Sequence, residues 1–287
     1  MSAIDSVPVT VPVATTSADD LVTAFLTAGR RHRRFRAVAG RVAIAVALVL
    51  GTWYALPPLG VVERVFLPAP HDVLGRLIEL VQTASLWENA RATASVALWG
   101  YAVAIAIGLT SGVLLGTVPF LGRALAPYLG ALQALPKVVF APLLITWLGF
   151  GNESKVATAA IVAMLPIVID TMVGLQSCSD DAVKLLRSYR TSRWRTFWLL
   201  RVPASLPLVF VGLRQALLLS LAGTLLAEAL IGSSEGLGHL VELYNGQILM
   251  DRAYAVVVVV ACIALVVSVL LAWLERRIIY WRGHELT

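Results

Sequence analysis

Apolar and polar positions fall along this chain in long blocks, not at the short periods of a soluble fold. Mainly apolar stretches occupy roughly 38–56, 92–118, 122–148, 156–177, 205–231 and 253–274. An apolar helix needs about 20 residues to cross a bilayer. Each stretch is therefore read as a spanning helix, and the chain as an all-α, polytopic membrane helical bundle with about six transmembrane helices. Between the first two stretches, Pro57, Pro58, Pro68 and Pro70 punctuate an extended start. Val73 to Leu86 then predicts a short amphipathic helix lying at the interface. The segment GSSEGLGHLVELYNGQILMDR is Gly-rich with three acids, which suits a lid or docking surface better than a span.

Composition agrees with the blocks. The 287 residues are 59% hydrophobic and 14% charged, with mean hydropathy +0.82, outside the range of soluble domains. The net charge of +6 is explained by topology and not by nucleic acid. With the N-terminus inside, 16 Lys and Arg fall on the cytoplasmic side and 5 outside, so both termini are expected in the cytoplasm. The expected organisation is a cytoplasmic tail over 1–37, a first transmembrane helix over 38–56 and an extracytoplasmic segment over 57–91. A permease core follows over 92–275, with a cytoplasmic loop at 179–204, and a cytoplasmic tail over 276–287. Residues 1–29 read as a poorly ordered tail, not a signal peptide, because the apolar run arrives late. Cys178 and Cys262 lie in or beside spans without a CxxC or His-Cys cluster, and are read as small buried hydrophobes.

Three constellations are candidates for function. In the loop from Ser179 to Pro207, Val183, Leu186, Tyr189 and Arg190 fall near one face at helical spacing, and Arg193-Trp194-Arg195 opens a second short segment. One reading is a basic loop with interfacial Trp and Arg. The other is a helix docked in the groove of a cytoplasmic motor. Its length and amphipathic beginning favour the second. The third span carries Pro127, Pro136 and Pro142, and broken helices at mid-membrane are common where a substrate passes. Lys137 sits near the middle of that span. An intramembrane charge is a functional candidate, although freed carbonyls at the kink offer it a structural role. Arg214 and Glu228 are 14 residues apart in the fifth span, about 21 Å along a helix, and cannot pair. Glu228 is placed to pin the outer loop, where Glu235, Gly236, Gly238 and His239 form a candidate gate or docking surface. Gly108, Gly112 and Gly116, at four-residue spacing, predict close helix packing. The four histidines are scattered with no metal spacing, and neither a catalytic group nor a metal site is expected.

The motifs FLPAPHDVLGRL, ALPKVVFAPLLITWLGFGNESKV, SRWRTFWLLRVPASLPLVFVGLRQAL, AEALIGSSEGLGHL and LERRIIYWR together resemble one family. They are similar to the membrane-spanning permease subunits of type I ABC importers serving nitrate, sulfonate, taurine and bicarbonate, over about Phe66 to Trp281. The resemblance implies a translocation pathway for a small, anionic solute, a second permease subunit (homodimer or paralogue), two cytoplasmic ATPase subunits and an extracytoplasmic solute-binding protein in the cell membrane. ATPase coupling is expected of Lys184, Leu186, Arg187, Tyr189, Arg190, Ser192 and Trp194, and the intramembrane prolines and charges Lys137, Pro136, Pro142, Arg214 and Glu228 are the candidate pathway residues. The family's Glu-Ala-Ala signature with Gly four residues later falls on Lys184-Leu185-Leu186 and Arg190, so the acid and the glycine are both missing. Arg187, Ser192, Pro203 and Pro207 match. Because Gly accepts positive φ, Arg190 bears on the turn geometry or on docking. No GxxxxGK[ST] occurs, so the chain is read as binding no cofactor and as no enzyme, with ATP used by a partner. The alternative is a secondary transporter or channel. It predicts paired intramembrane carboxylates or a matched inverted repeat, and neither is visible.

Overall fold

The structure is a computed structural model that describes residues 40–41, 44–60, 62–231 and 235–279, with the backbone alone at Val138, Asp180 and Ile231. The expected tail over 1–37, residues 280–287 and the Gly232–Ser234 part of the outer loop lie outside it. The chain divides into two units, Met1–Val62 and Glu63–Thr287. In the first, α1 (Ile44–Ala55) is a short apolar helix. Pro57 and Pro58 follow directly, and a residue before proline is pushed out of helical geometry.

The second unit is helical throughout, and its described residues form no strand. It begins with the amphipathic α2 (Pro70–Val81), whose Pro70 sits at the first helical position and stabilises the start. The helix ends five residues before the predicted limit because α3 (Ala84–Thr117) already begins there. The predicted third span is not one helix. It forms α4 (Pro119–Ala134), a 3₁₀ turn (Lys137–Val139) and α5 (Phe140–Leu148). Leu135 precedes Pro136 and is extended, with φ −68° and ψ 137°, which is the conformation a following proline imposes. Then come α6 (Asn152–Gln176), α7 (Asp180–Ser188), α8 (Arg193–Thr196), α9 (Val202–Ile231), α10 (Leu237–Gly246) and α11 (Met250–Ile278). A π turn over Phe197–Arg201 joins α8 to α9, so helical geometry begins well before the predicted start of the fifth span. There the Val202 N–H donates to the Phe197 carbonyl. That widened turn lies just before Pro203, whose missing N–H already deprives the preceding turn of a bond.

Four helices are long and apolar enough to cross a membrane: α3, α6, the stretch Arg193–Leu230 and α11. Their packing follows from small residues. A Cβ placed on Gly108, Gly112 or Gly116 would fall 2.7, 2.6 or 2.9 Å from the Cβ of Ile167, Thr171 or Leu175. Both series step by four along one ridge, which is the geometry small-xxx-small faces permit. The constant offset means α3 and α6 run in the same direction. The chain between them must therefore cross back, and the broken α4–α5 pair makes that return. α9 runs antiparallel to both. Tyr101 donates to the Leu213 carbonyl at 3.0 Å, and Ser220 to that of Ala97 at 2.7 Å.

Candidate functional site

The packing gathers the candidate residues at the two ends of the bundle. At one end, α3 and α6 finish, α9 begins, and α7 and α8 lie between them. Ser179 and Ser192 start the two short helices by accepting from the N–H groups of Ala182 and Arg195, both at 3.3 Å. The matched Ser192 is thus a helix cap. The α7 helix closes at Arg190, which has φ 53°. The Arg190 N–H donates to the Arg187 carbonyl at 2.9 Å, and the Thr191 N–H to that of Leu186 at 3.2 Å. This is a Schellman closure with arginine at the left-handed position that glycine usually fills. The turn geometry put in question by the missing glycine is therefore formed.

The predicted docking face is redistributed. Val183 and Leu186 are half-buried, whereas Leu185 and Tyr189, four residues apart, are 58% and 76% exposed and share a face. The aliphatic residue displayed outward is thus Leu185, not Leu186. Trp194 is 71% exposed, stacks on Phe197 at 6.2 Å and meets Trp198 edge-on at 5.7 Å. Lys184 pairs with Asp181 at 3.2 Å on the open surface, while Arg187 carries the Schellman carbonyl. Cys178 is half-buried, and burial pushes its thiol up against the opposing pull of Arg201, whereas Cys262 is exposed on the chain, so neither is the fully buried residue expected.

In the middle of the chain, Lys137 occupies the 3₁₀ turn between α4 and α5, half-buried, and makes no ion pair among the described residues. The Pro136 carbonyl accepts from Val139 at 3.1 Å and that of Pro142 from the Thr146 hydroxyl at 2.9 Å. These two carbonyls near the kink thus have partners other than the lysine. Pro142 does not break a helix. It lies in the first turn of α5, where its absent N–H is not needed. Arg214 pairs with Glu275 of α11, and its buried Nε finds no partner. Arg214 is thus neutralised by an acid one residue beyond the predicted sixth span.

At the opposite end, Glu228 is 1% exposed and sits against the start of α10. Its carboxylate accepts from the Gly238 N–H at 2.9 Å and from the Thr93 hydroxyl at 2.9 Å to each oxygen. Thr93 in turn accepts from the Leu237 N–H at 2.8 Å, and Asn89 accepts from Gly236 at 2.6 Å. The first N–H groups of α10, which no helix can satisfy internally, are thus held by α3 and α9. Gly236 has φ 121° and packs on the carboxylate, a place only glycine fits. Lys155 of α6, 6% exposed, lies within Coulombic range. Glu235 is exposed and His239 half-buried at the same end. Sequence reasoning missed Asn89, Thr93 and Lys155. Polar residues near a span end carry no signal of their own until the partner helix is known. Arg76 of α2 joins this end to α11 through Asp251 at 2.7 Å.

Long apolar helices, one broken crossing and a basic helical loop at one end define the class: a membrane-spanning transport permease. A family model for "Binding-protein-dependent transport system inner membrane component" matches residues 100–280. The riboflavin transport system permease RibX of Chloroflexus aurantiacus is 34% identical over 88% of this chain and 94% of its own length. The taurine transport system permease TauC of Escherichia coli is 27% identical, covering 83% and 88%. The nitrate import permease NrtB of Synechocystis is 27% identical over 83% and 89%. In fold, a chain of the methionine ABC transporter MetNI matches with TM-score 0.53 at 16% identity, over 68% of this chain and 93% of that one. The chain belongs to this family, as a membrane-spanning permease subunit of an ABC importer of the nitrate, sulfonate and taurine type.

Proposed function

We propose that this permease takes a small solute from an extracytoplasmic binding protein at the α10 end, and couples its passage to ATP hydrolysis at the α7–α8 end. Both termini are then cytoplasmic, as the distribution of Lys and Arg requires, and the α10 end faces outward. A second permease subunit completes the pathway and two ATPase subunits drive it. The chain itself holds no cofactor. The observation that carries the reading is the α7–α8 hairpin. Its Schellman turn projects Tyr189 and Trp194 away from the bundle, where aromatic anchors can fill a groove on a motor subunit. Substituting both with Ala is expected to detach the ATPase while the permease still inserts. Co-purification unchanged by the double substitution defeats the assignment.

The solute proposed is a small anion. Taurine and nitrate transport are named for two relatives, and Lys137 is a half-buried cation without an acid partner among the described residues. A thermal-shift screen of the cognate binding protein against nitrate, sulfonates, taurine and riboflavin tests this. A response to riboflavin alone removes the anionic assignment and leaves the permease reading intact.

A further inference from the structure

Where α3 and α6 end and α9 begins, these helices and the α7–α8 loop enclose an open cavity of about 910 Å³. Its inner wall is aliphatic, built from Leu109, Val113 and Val209. Leu109 lies eight residues inside Thr117, so the wall runs about 12 Å down from the helix end. The rim is different. Arg187, Arg193 and Arg201 line it, and none forms a salt bridge among the described residues. Thr171 also borders the cavity, packed against Gly112 with its Oγ1 covered by protein. Trp198 flanks the opening, 53% exposed, as residues at a membrane–water boundary commonly are.

We propose that this cavity is a binding site for an anionic phospholipid. The phosphodiester would rest on Arg193 and Arg201, with Arg187 beside it. The upper acyl chain would lie along Leu109, Val113 and Val209. Three unpaired guanidiniums call for an anion, since Arg matches phosphate geometry. A free anion accounts for the rim alone, whereas the aliphatic wall calls for an attached chain. The proposal shares the α7–α8 hairpin with the motor reading, but its readout is lipid retention, which depends on neither motor association nor the solute.

The test offers the purified full-length chain, in mild detergent, an equimolar mixture of phosphatidylglycerol and phosphatidylcholine with identical acyl chains, read by native mass spectrometry. One phosphatidylglycerol per chain should be retained about thirtyfold over phosphatidylcholine, as expected for two basic contacts near the headgroup. Arg193→Gln with Arg201→Gln should abolish that preference. Val113→Trp, which fills the wall and leaves every charge in place, should reduce retention of phosphatidylglycerol as well, so the test survives misfolding of the charge variant. Equal retention of the two lipids overturns the proposal. So does retention that survives Val113→Trp, which would reduce the site to surface charge, or complete displacement by inorganic phosphate, which would make it a site for a soluble anion.

Discussion

Arg190 sits at φ 53° with its N–H on the Arg187 carbonyl at 2.9 Å, closing α7 in a conformation that its own side chain disfavours. A Cβ crowds the following carbonyl in the left-handed region, at about 1 kcal/mol or somewhat more. Arg190→Gly should therefore stabilise the loop by about 1 kcal/mol and leave association with the ATPase unchanged. Thermal unfolding of the purified variant measures the first, and co-purification the second. A loss of stability would show that the Arg190 side chain makes a contact worth more than the backbone strain.

The buried cluster of Glu228, Thr93 and the start of α10 should behave as one unit. Glu228→Ala leaves the Thr93 hydroxyl and the Gly238 N–H without their acceptor, and each buried orphan costs about 1–3 kcal/mol. Thr93→Val orphans the Leu237 N–H in the same way. The two changes together should cost less than the sum of the separate losses, because they break one shared network. Simple additivity in a double-mutant cycle would show that the contacts are independent.

Helix approach at Gly108 sets a steric prediction. Gly108→Ala brings a methyl group to 2.7 Å from the Ile167 Cβ, so α3 and α6 must separate, with an overpacking cost of about 1–3 kcal/mol. Ile167→Gly empties a fully buried site and is destabilising by itself, but it should cost less in the Gly108→Ala background than in the parent chain, because it reopens the groove. A double-mutant cycle on the melting temperatures measures this. An equal cost in both backgrounds would mean that the two helices do not meet at this register.

Lys137 separates two roles in one preparation. Because the lysine has no ion-pair partner among the described residues, Lys137→Met should reduce transport of an anionic solute in proteoliposomes while expression and assembly stay near normal. A fall in yield and thermal stability instead would make the lysine structural. Unaltered transport by a well-expressed Met variant would remove it from the pathway.

Much of the architecture was legible because the bilayer imposes one rule on every span: backbone polar groups must be satisfied within the helix, and the side chains must be apolar. That rule marks α3, α6, α9 and α11 as blocks, and the Gly108–Gly116 spacing marks the packing face of α3. Proline chemistry likewise pointed to trouble in the third span. It did not say that Pro136 breaks the helix while Pro142 merely begins the next one. Whether a proline interrupts a helix or opens it depends on where the neighbouring turn starts.

What the sequence determined by itself was a polytopic helical membrane protein, the order of its apolar blocks and the basic loop, since composition and periodicity are properties of short segments. The tertiary structure decided which charges meet. Glu228 is bound to Thr93, 135 residues away, and Arg214 to Glu275, 61 residues away. No local pattern encodes such pairs. They exist because α3, α9 and α11 are packed in a particular order and direction. The same holds for Arg190, whose positive φ is imposed by the hydrogen bonds that close α7 and not by the preference of an arginine.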